Sequence, residues 1–508
     1  MKKIIRPLLI SLLVIVAAGL LAFGIKGHLH GPNYYQLTRD TSVGGPFESS
    51  NNTSRYALTE AIVEDKTFFF NDARARFATP DIEEYNGKIF SIFTPGVAFF
   101  GVPFYLLGKL FGLPQLFTYF STAVLALINF FLIILLARKL GAGFYSSLLG
   151  GIVFLFGTNA LSYALTFTQH HASVTLILLA LLNITGERTF LKNILLGVLF
   201  GTGLLIDVPN GIMLLPIIIY ALLKHLKSET ISEKIKLGLK LNIIGLLIGL
   251  IPLLAVFGWY NYNTTGSYFK VAQLLGRRVD VLQTGEIVHK RQISAEAEAP
   301  KLPFNPRNQL QGSNILLISN ERSWLYYSPV VLLGILGMVL AHRQMTKRSL
   351  AIIASSVVLT TIVVYSMFGD PWGGWAFGPR YLIPAAAILS AAIGIAVERF
   401  RKNIFFIVVF IILLAYSLGI NTIGAMTTTQ VPPKVEAVNL PNPIPYTYEY
   451  NLQLIDKDFT SSLVYNLYLF KFMSVREFLY GYYAVALIAI ASAYLFVLFG
   501  KEKKYDQV

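Results

Sequence analysis

Apolar stretches of about 20 residues recur from Pro7–Phe23 near the start to 477–499 near the end, and about 20 is what an α-helix needs to cross a bilayer core. Backbone N–H and C=O groups find no partner in lipid, so stretches of this length can cross it only as helices. The composition agrees. The 508 residues are 55% hydrophobic and 14% charged, against about 25% charged in soluble domains, which rules out a large solvated surface. A net charge of +15 would ordinarily suggest nucleic acid, but the Lys and Arg residues sit in short clusters at the ends of apolar stretches. Membrane topology accounts for them, and no nucleic-acid partner is implied. There is no cysteine, which removes disulfides, thiolate chemistry and Cys-ligated metals.

The basic segment Met1 to Arg6 before the first apolar stretch places the N-terminus in the cytoplasm, and no small-x-small cleavage site follows, so this stretch is expected to remain as a first helix. Residues 90–111 carry Pro95, Gly96, Gly101, Pro103 and Gly108 and are expected to lie at the external interface. Spans are then expected near 116–136, 143–163, 171–184, 191–206, 208–223, 239–258, 325–341, 349–367, 381–397, 404–424 and 477–499. With that choice every basic cluster falls on one side, including Arg138 with Lys139, Lys224 through Lys240, and Arg399 with Arg401 and Lys402. Trp259, Trp324, Trp372 and Trp375 fall at the opposite ends, where an aromatic belt would put them. His225 and His342 fall among basic residues and are expected on the cytoplasmic surface. The expectation is an all-α polytopic membrane protein of about twelve helices, a single transmembrane domain over 1–508 with both termini cytoplasmic. Its external loops cover about 26–115, 259–323 and 426–476, far more chain than connectors need, and an enzyme working at that face uses such loops to build a site.

The first external loop contains Asn52-Thr53-Ser54-Arg55-Tyr56-Ala57, then an acidic and aromatic run from Glu60 to Phe70, then Asp81, then Tyr85-Asn86-Gly87-Lys88 leading to Thr94-Pro95-Gly96. With Asn320-Glu321-Arg322 before Trp324-Leu325-Tyr326-Tyr327-Ser328-Pro329, and with Trp372-Gly373-Gly374-Trp375-Ala376-Phe377-Gly378-Pro379-Arg380-Tyr381-Leu382, this order resembles the integral membrane glycosyltransferases of the GT-C superfamily, in particular the protein mannosyltransferase and lipid A aminoarabinose transferase branch. The matches touch residues 1 to about 400. The sequence departs from that pattern at Asn52 and Thr53, where the family carries an acidic pair. An amide cannot accept a proton from an acceptor hydroxyl, so another carboxylate must serve or the chain is catalytically altered.

Candidate bases are Asp81, Asp207 and Glu48, with Asp40 and Glu60 in the same loop, and Asp81 is favoured because it precedes the Tyr85 to Thr94 segment. Arg380 follows Gly378-Pro379 at the head of a span. Its planar fork of donors suits a phosphate leaving group, and Arg322 and His171 are its expected helpers. Asn52, Arg55, Tyr56, His170, Trp372 and Trp375 are expected to line the acceptor pocket. Asp81 with His170 or His171 could hold a divalent metal, but no spacing demands one.

The resemblance implies transfer of a sugar from a polyprenyl phosphate to a hydroxyl of a lipid, glycan or protein acceptor at the external face, with inversion and a loop carboxylate as base. Two alternatives stand beside it: a lipid-linked oligosaccharide transporter, and a protein of the same fold that binds polyprenyl lipid without catalysis.

Overall fold

A computed structural model of the chain describes residues 2–27, 41–231, 234–282, 284–289 and 304–499. Six helices are long and apolar enough to cross a membrane, namely Pro114–Leu140, Leu241–Thr265, Arg348–Ser366, Arg380–Phe400, Ile404–Met426 and Val475–Phe499. Shorter apolar helices accompany them at Pro7–Phe23, Gly96–Leu110, Phe144–Gly157, His170–Asn183, Phe190–Ile206, Pro209–Leu223 and Pro329–His342. Every expected span falls on one of these helices, and six of them reach full spanning length where about twelve spans were expected.

The breaks have local causes. The segment 143–163 divides where Thr158 adopts an extended backbone (φ −131°, ψ 164°), and a second short helix, Ala160–Ala164, follows. The segment 325–341 divides at Ser328 (φ −152°, ψ 54°), the residue before Pro329, where proline disfavours the helical conformation of its neighbour. The helix expected over 239–258 runs on to Thr265 and stops at Gly266, whose φ of 72° is the left-handed cap that glycine supplies at least cost.

The all-α expectation is corrected in the loops. Ile82–Tyr85 and Lys88–Ser91 form an antiparallel hairpin, with Phe69–Phe70 adding a third strand in the order Phe69–Phe70, Lys88–Ser91, Ile82–Tyr85. Asn86 (φ 53°) and Gly87 (φ 71°) make its turn, the Asn-Gly pair that a two-residue hairpin with positive φ at both positions prefers. Two more hairpins pair Leu226–Ile231 with Lys234–Leu239 and Val279–Val281 with Ile287–His289.

The chain gathers into two compact units, one of residues 1–48, 122–166 and 306–508, the other of 49–121 and 167–305. In the first, Phe144–Gly157 and Ile383–Phe400 are buried over nearly their whole length and pack together, with Leu333–His342 against the second of them. A Cβ at Gly337 would collide with the Ala392 carbonyl, so the two backbones touch only because that position is glycine. In the second unit Phe190–Ile206 packs along Ile244–Thr265, and Gly249 allows the same approach to the Ile194 carbonyl. Lipid supplies no hydrophobic drive between helices, so close backbone packing of this kind carries their association.

Candidate functional site

In the second unit, the helix Ser50–Glu60 is polar along its length and yet buried from Asn51 to Thr59. Buried polar chain of this kind is stable only if its groups are matched. Ser50 Oγ donates to Asp81 Oδ2 at 2.7 Å, Ser54 Oγ donates to the Asp81 carbonyl at 2.7 Å, and the Ser54 and Ser91 hydroxyls meet at 2.7 Å. The hairpin is thereby pinned to the helix. Arg55 is 1% exposed. It donates to the Asn51 carbonyl and side chain, and its guanidinium lies 3.7 Å over the Phe93 ring. Tyr56 packs its ring near Phe77 and Tyr105. Asn52 differs. It is 1% exposed, and neither its Oδ1 nor its Nδ2 finds a partner among the described residues. An unmatched buried amide costs about 1–3 kcal/mol per group, a cost that a bound polar ligand would remove.

Asp81 is half-buried, with one hydroxyl on its carboxylate. Asp207 ends the helix Phe190–Ile206 in extended conformation and receives Gln169 Nε2 at 3.4 Å. Thr94 Oγ1 reaches the Ile206 carbonyl at 3.0 Å. The fold therefore brings together the Thr94 turn, Asp207 and the start of the helix His170–Asn183. His170 and His171 are both buried at that helix start. Among the described residues no three His, Asp or Glu side chains gather as a metal site would require.

A residue that sequence reasoning passed over lies two positions beyond Asp81. Glu83 is fully buried in the hairpin, and its backbone bridges to Arg278. Burial outweighs the nearby Arg278 charge and the Gly276 and Arg277 amides, so its pKa is pushed up to about 8. The run Ile82-Glu83-Glu84-Tyr85 carries no signal that one acid faces inward.

In the first unit, Glu48 is saturated. Its carboxylate pairs with Lys26 and accepts from Gly44 N (2.7 Å), Thr428 Oγ1, Thr429 N (2.9 Å) and Thr429 Oγ1 (2.8 Å). Burial works to raise its pKa, but Lys26 and these donors hold it below the ordinary carboxylate value. It serves as a staple, with little capacity left to take a proton from a substrate. Asp40 lies outside the described residues.

Arg322 is likewise committed. It is 0% exposed, and its two Nη groups donate to the carbonyls of Glu321 (2.6 Å), Tyr446 (3.1 Å), Val431 (2.6 Å) and Pro432 (3.1 Å). The expected phosphate ligand is a brace between loops. Arg380 differs in what surrounds its Nη groups: among the described residues no loop carbonyls close on them. It makes no ion pair among the described residues, its Nε, like that of Arg322, has no hydrogen-bond partner, and it lies against the backbone of Gly373 beside Tyr381. Gly373 and Gly374 both have positive φ (76° and 63°), and a Cβ at Gly373 would stand 2.7 Å from Arg380 Nε.

The aromatic-belt expectation is corrected. Trp324 is 2% exposed, Trp372 Nε1 donates to Glu321 at 2.5 Å, and Trp375 Nε1 donates to Glu436 at 2.6 Å, so these indoles belong to the protein's own loops. Only Trp259, 52% exposed, has the freedom expected of a belt residue. His225 is also corrected. It is 1% exposed and hydrogen-bonds Asn193 and the Ala221 carbonyl, away from the surface assigned to it, while half-buried His342 meets Ser355 at 3.1 Å.

The apo crystal structure of ArnT, a lipid A aminoarabinose transferase from Cupriavidus metallidurans, aligns over 96% of this chain and 76% of its own with a TM-score of 0.50 at 13% identity. The two share a fold. The apo oligosaccharyltransferase of Archaeoglobus fulgidus aligns over 96% of this chain and 56% of its own at 10% identity, with a TM-score of 0.41. No family model and no curated protein matches the sequence. At 13% identity the likeness to ArnT shows a shared fold, of the kind that the resemblance in the sequence implied.

Proposed function

We propose that this chain is a glycosyltransferase that moves a sugar from a polyprenyl phosphate to an acceptor hydroxyl at the external membrane face, with inversion. Arg380 carries the proposal: a guanidinium without an ion pair, set in a glycine-rich turn at the head of a membrane helix, suits an anion presented at the membrane. The fold shared with ArnT supports it. In the reaction a carboxylate takes the acceptor proton, the acceptor oxygen attacks the anomeric carbon, and the bond from that carbon to the phosphate oxygen breaks. The charge then left on the polyprenyl phosphate is stabilised by Arg380.

Of the candidate acids we assign the base to Asp81. Glu48 is saturated by Lys26 and its hydroxyl and amide donors, and Asp207 closes a helix end, whereas Asp81 holds one hydroxyl and remains partly open. Asn52, with its unmatched amide, is proposed to bind the acceptor, with Arg55 and Tyr56 shaping the helix around it.

The same amide favours a second reading, a chain of this fold that binds polyprenyl lipid without catalysis, because Asn52 stands where the resembled family carries an acid. Turnover of polyprenyl phosphate sugars by purified protein separates the two. Under the transferase reading the protein consumes a donor, and Asp81→Asn lowers the rate by roughly 10² to 10⁴ while donor binding persists. Donor binding without consumption by the unaltered protein selects the second reading.

A further inference from the structure

We propose that Glu321 and Trp372 form the subsite that recognises the donor's sugar, and that this sugar is a hydroxyl-bearing pyranose without an acidic group; the inference rests on the donor class proposed above. Three chemistries meet on adjoining chain in one unit. Arg380 lies against Gly373, the residue that directly follows Trp372, and Asp370 is close enough to act electrostatically on the same guanidinium. Trp372 Nε1 donates to Glu321 Oε2 at 2.5 Å, so the indole and the carboxylate hold one another.

Cation, flat aromatic ring and carboxylate are the complements of a sugar phosphate: an anion, the C–H face of a pyranose, and hydroxyl donors. The ring of Trp372 is half-buried, which leaves part of it open to a ligand. Glu321 is half-buried too, and one indole N–H uses only a fraction of the acceptor capacity of an ionised carboxylate.

The placement is rigid. Arg322 donates to the Glu321 carbonyl and ties this position to the Val431, Pro432 and Tyr446 carbonyls, and Glu321 N donates to Ser319 Oγ at 3.2 Å. A recognition carboxylate has to be fixed in this way, because side-chain freedom lost on binding subtracts from selectivity. A membrane-belt tryptophan has no need of a dedicated acidic partner for its N–H, and Trp372 has one. As acceptor-only carboxylates, Glu321 and Asp370 welcome hydroxyls and repel the carboxylate of a uronic acid, which excludes an acidic sugar.

The test is equilibrium binding of purified full-length protein to undecaprenyl phosphate, undecaprenyl phosphate glucose and undecaprenyl phosphate glucuronic acid. The wild type is expected to bind the glucose form roughly tenfold more tightly than the bare carrier, as one or two hydrogen bonds to a charged acceptor warrant, and the glucuronic form no more tightly than the bare carrier. Glu321→Gln should bring the glucose-to-bare ratio close to one without changing affinity for the bare carrier, and Trp372→Phe, which frees the carboxylate, should lower the ratio less. Glu321→Asp, which keeps the charge, should retain part of it even if other variants lose stability. A ratio unchanged in Glu321→Gln overturns the subsite. A wild type that binds glucose and bare forms equally overturns it as well, while Arg380→Ala losing both would leave the donor reading intact. A wild type that binds none of the three lipids removes the donor reading and this inference together.

Discussion

The Glu48 region and the 370–380 loop belong to the same unit and each pairs an acid with a basic side chain, yet they are built on opposite terms. Around Glu48 the carboxylate is closed off: Lys26, Gly44 N and the Thr428 and Thr429 groups all meet it. In the loop, Arg380 has no ion pair among the described residues, and Glu321 and Trp372 each remain partly open. A carboxylate whose acceptor capacity is used up specifies a structure, whereas one with capacity to spare leaves room for a ligand. Residue type does not distinguish the two. An acid and a lysine make the staple, and an acid and an arginine flank the open loop.

Breaking the staple should give the largest effect. Removing one member of a buried ion pair leaves the other charge stranded, at about 3–5 kcal/mol, so Lys26→Met is expected to lower the thermal unfolding temperature of the detergent-solubilised protein sharply. Lys26→Met combined with Glu48→Gln should recover much of that loss, because no charge is left unpaired. The pair also has a pH signature. The Glu48 pKa is depressed in the folded protein, so its contribution is complete above the ordinary carboxylate value and is lost as pH falls through the depressed one. Unfolding temperatures that do not move in either variant would show that the pair contributes nothing.

The two arginines sharpen the contrast. Arg380→Ala should reduce donor turnover by about 10²-fold with little change in unfolding temperature, and Arg380→Lys should retain part of the rate, since charge survives but the fork does not. Arg322→Ala should do the reverse, destabilising the loops whose carbonyls it holds. Turnover and unfolding temperature measured side by side decide this. Both variants failing in the same manner would erase the distinction between open and saturated sites.

Much of the fold was legible in the sequence because helices in lipid must satisfy their own backbone, and an apolar stretch of span length records that demand directly. Helix ends were less legible where Ser328 or Thr158 bends the chain inside an apolar run. The turn at Tyr85 to Lys88 was legible in Asn86-Gly87, but the strands it joins were not. The site was legible in part. Arg380, Trp372 and Asp81 stand out by type and context, but Arg322 and Glu48 look equally suitable until their partners are seen. Those partners, Val431 and Tyr446 for the arginine and Thr428 and Thr429 for the acid, lie more than a hundred residues away. Glu321 was in view as part of a motif, but nothing in Asn320-Glu321-Arg322 reveals the indole 51 positions on that fixes its role.

The smallest expected effect concerns Glu83, and it separates burial from satisfaction. Glu48 and Glu83 are both buried acids, but the first meets a cation and four donors while for the second burial outweighs the Arg278 and Arg277 charges and the Gly276 and Arg277 amides, so their pKa values move in opposite directions. For Glu83 the folded value of about 8 exceeds the ordinary 4.5. Between those values the folded chain holds a proton that the unfolded chain has released, so stability must fall as pH rises, by at most about 1.4 kcal/mol per pH unit. Glu83→Gln removes the titration while keeping size, and the stability difference between variant and wild type should therefore grow in favour of the variant from pH 5 to pH 8. Histidines and other acids that titrate in this window are common to both proteins and cancel in the difference. Denaturant unfolding at several pH values measures it. Two curves that run parallel across the window would mean that Glu83 ionises freely in the folded protein, and burial without donors would then not be what sets its proton.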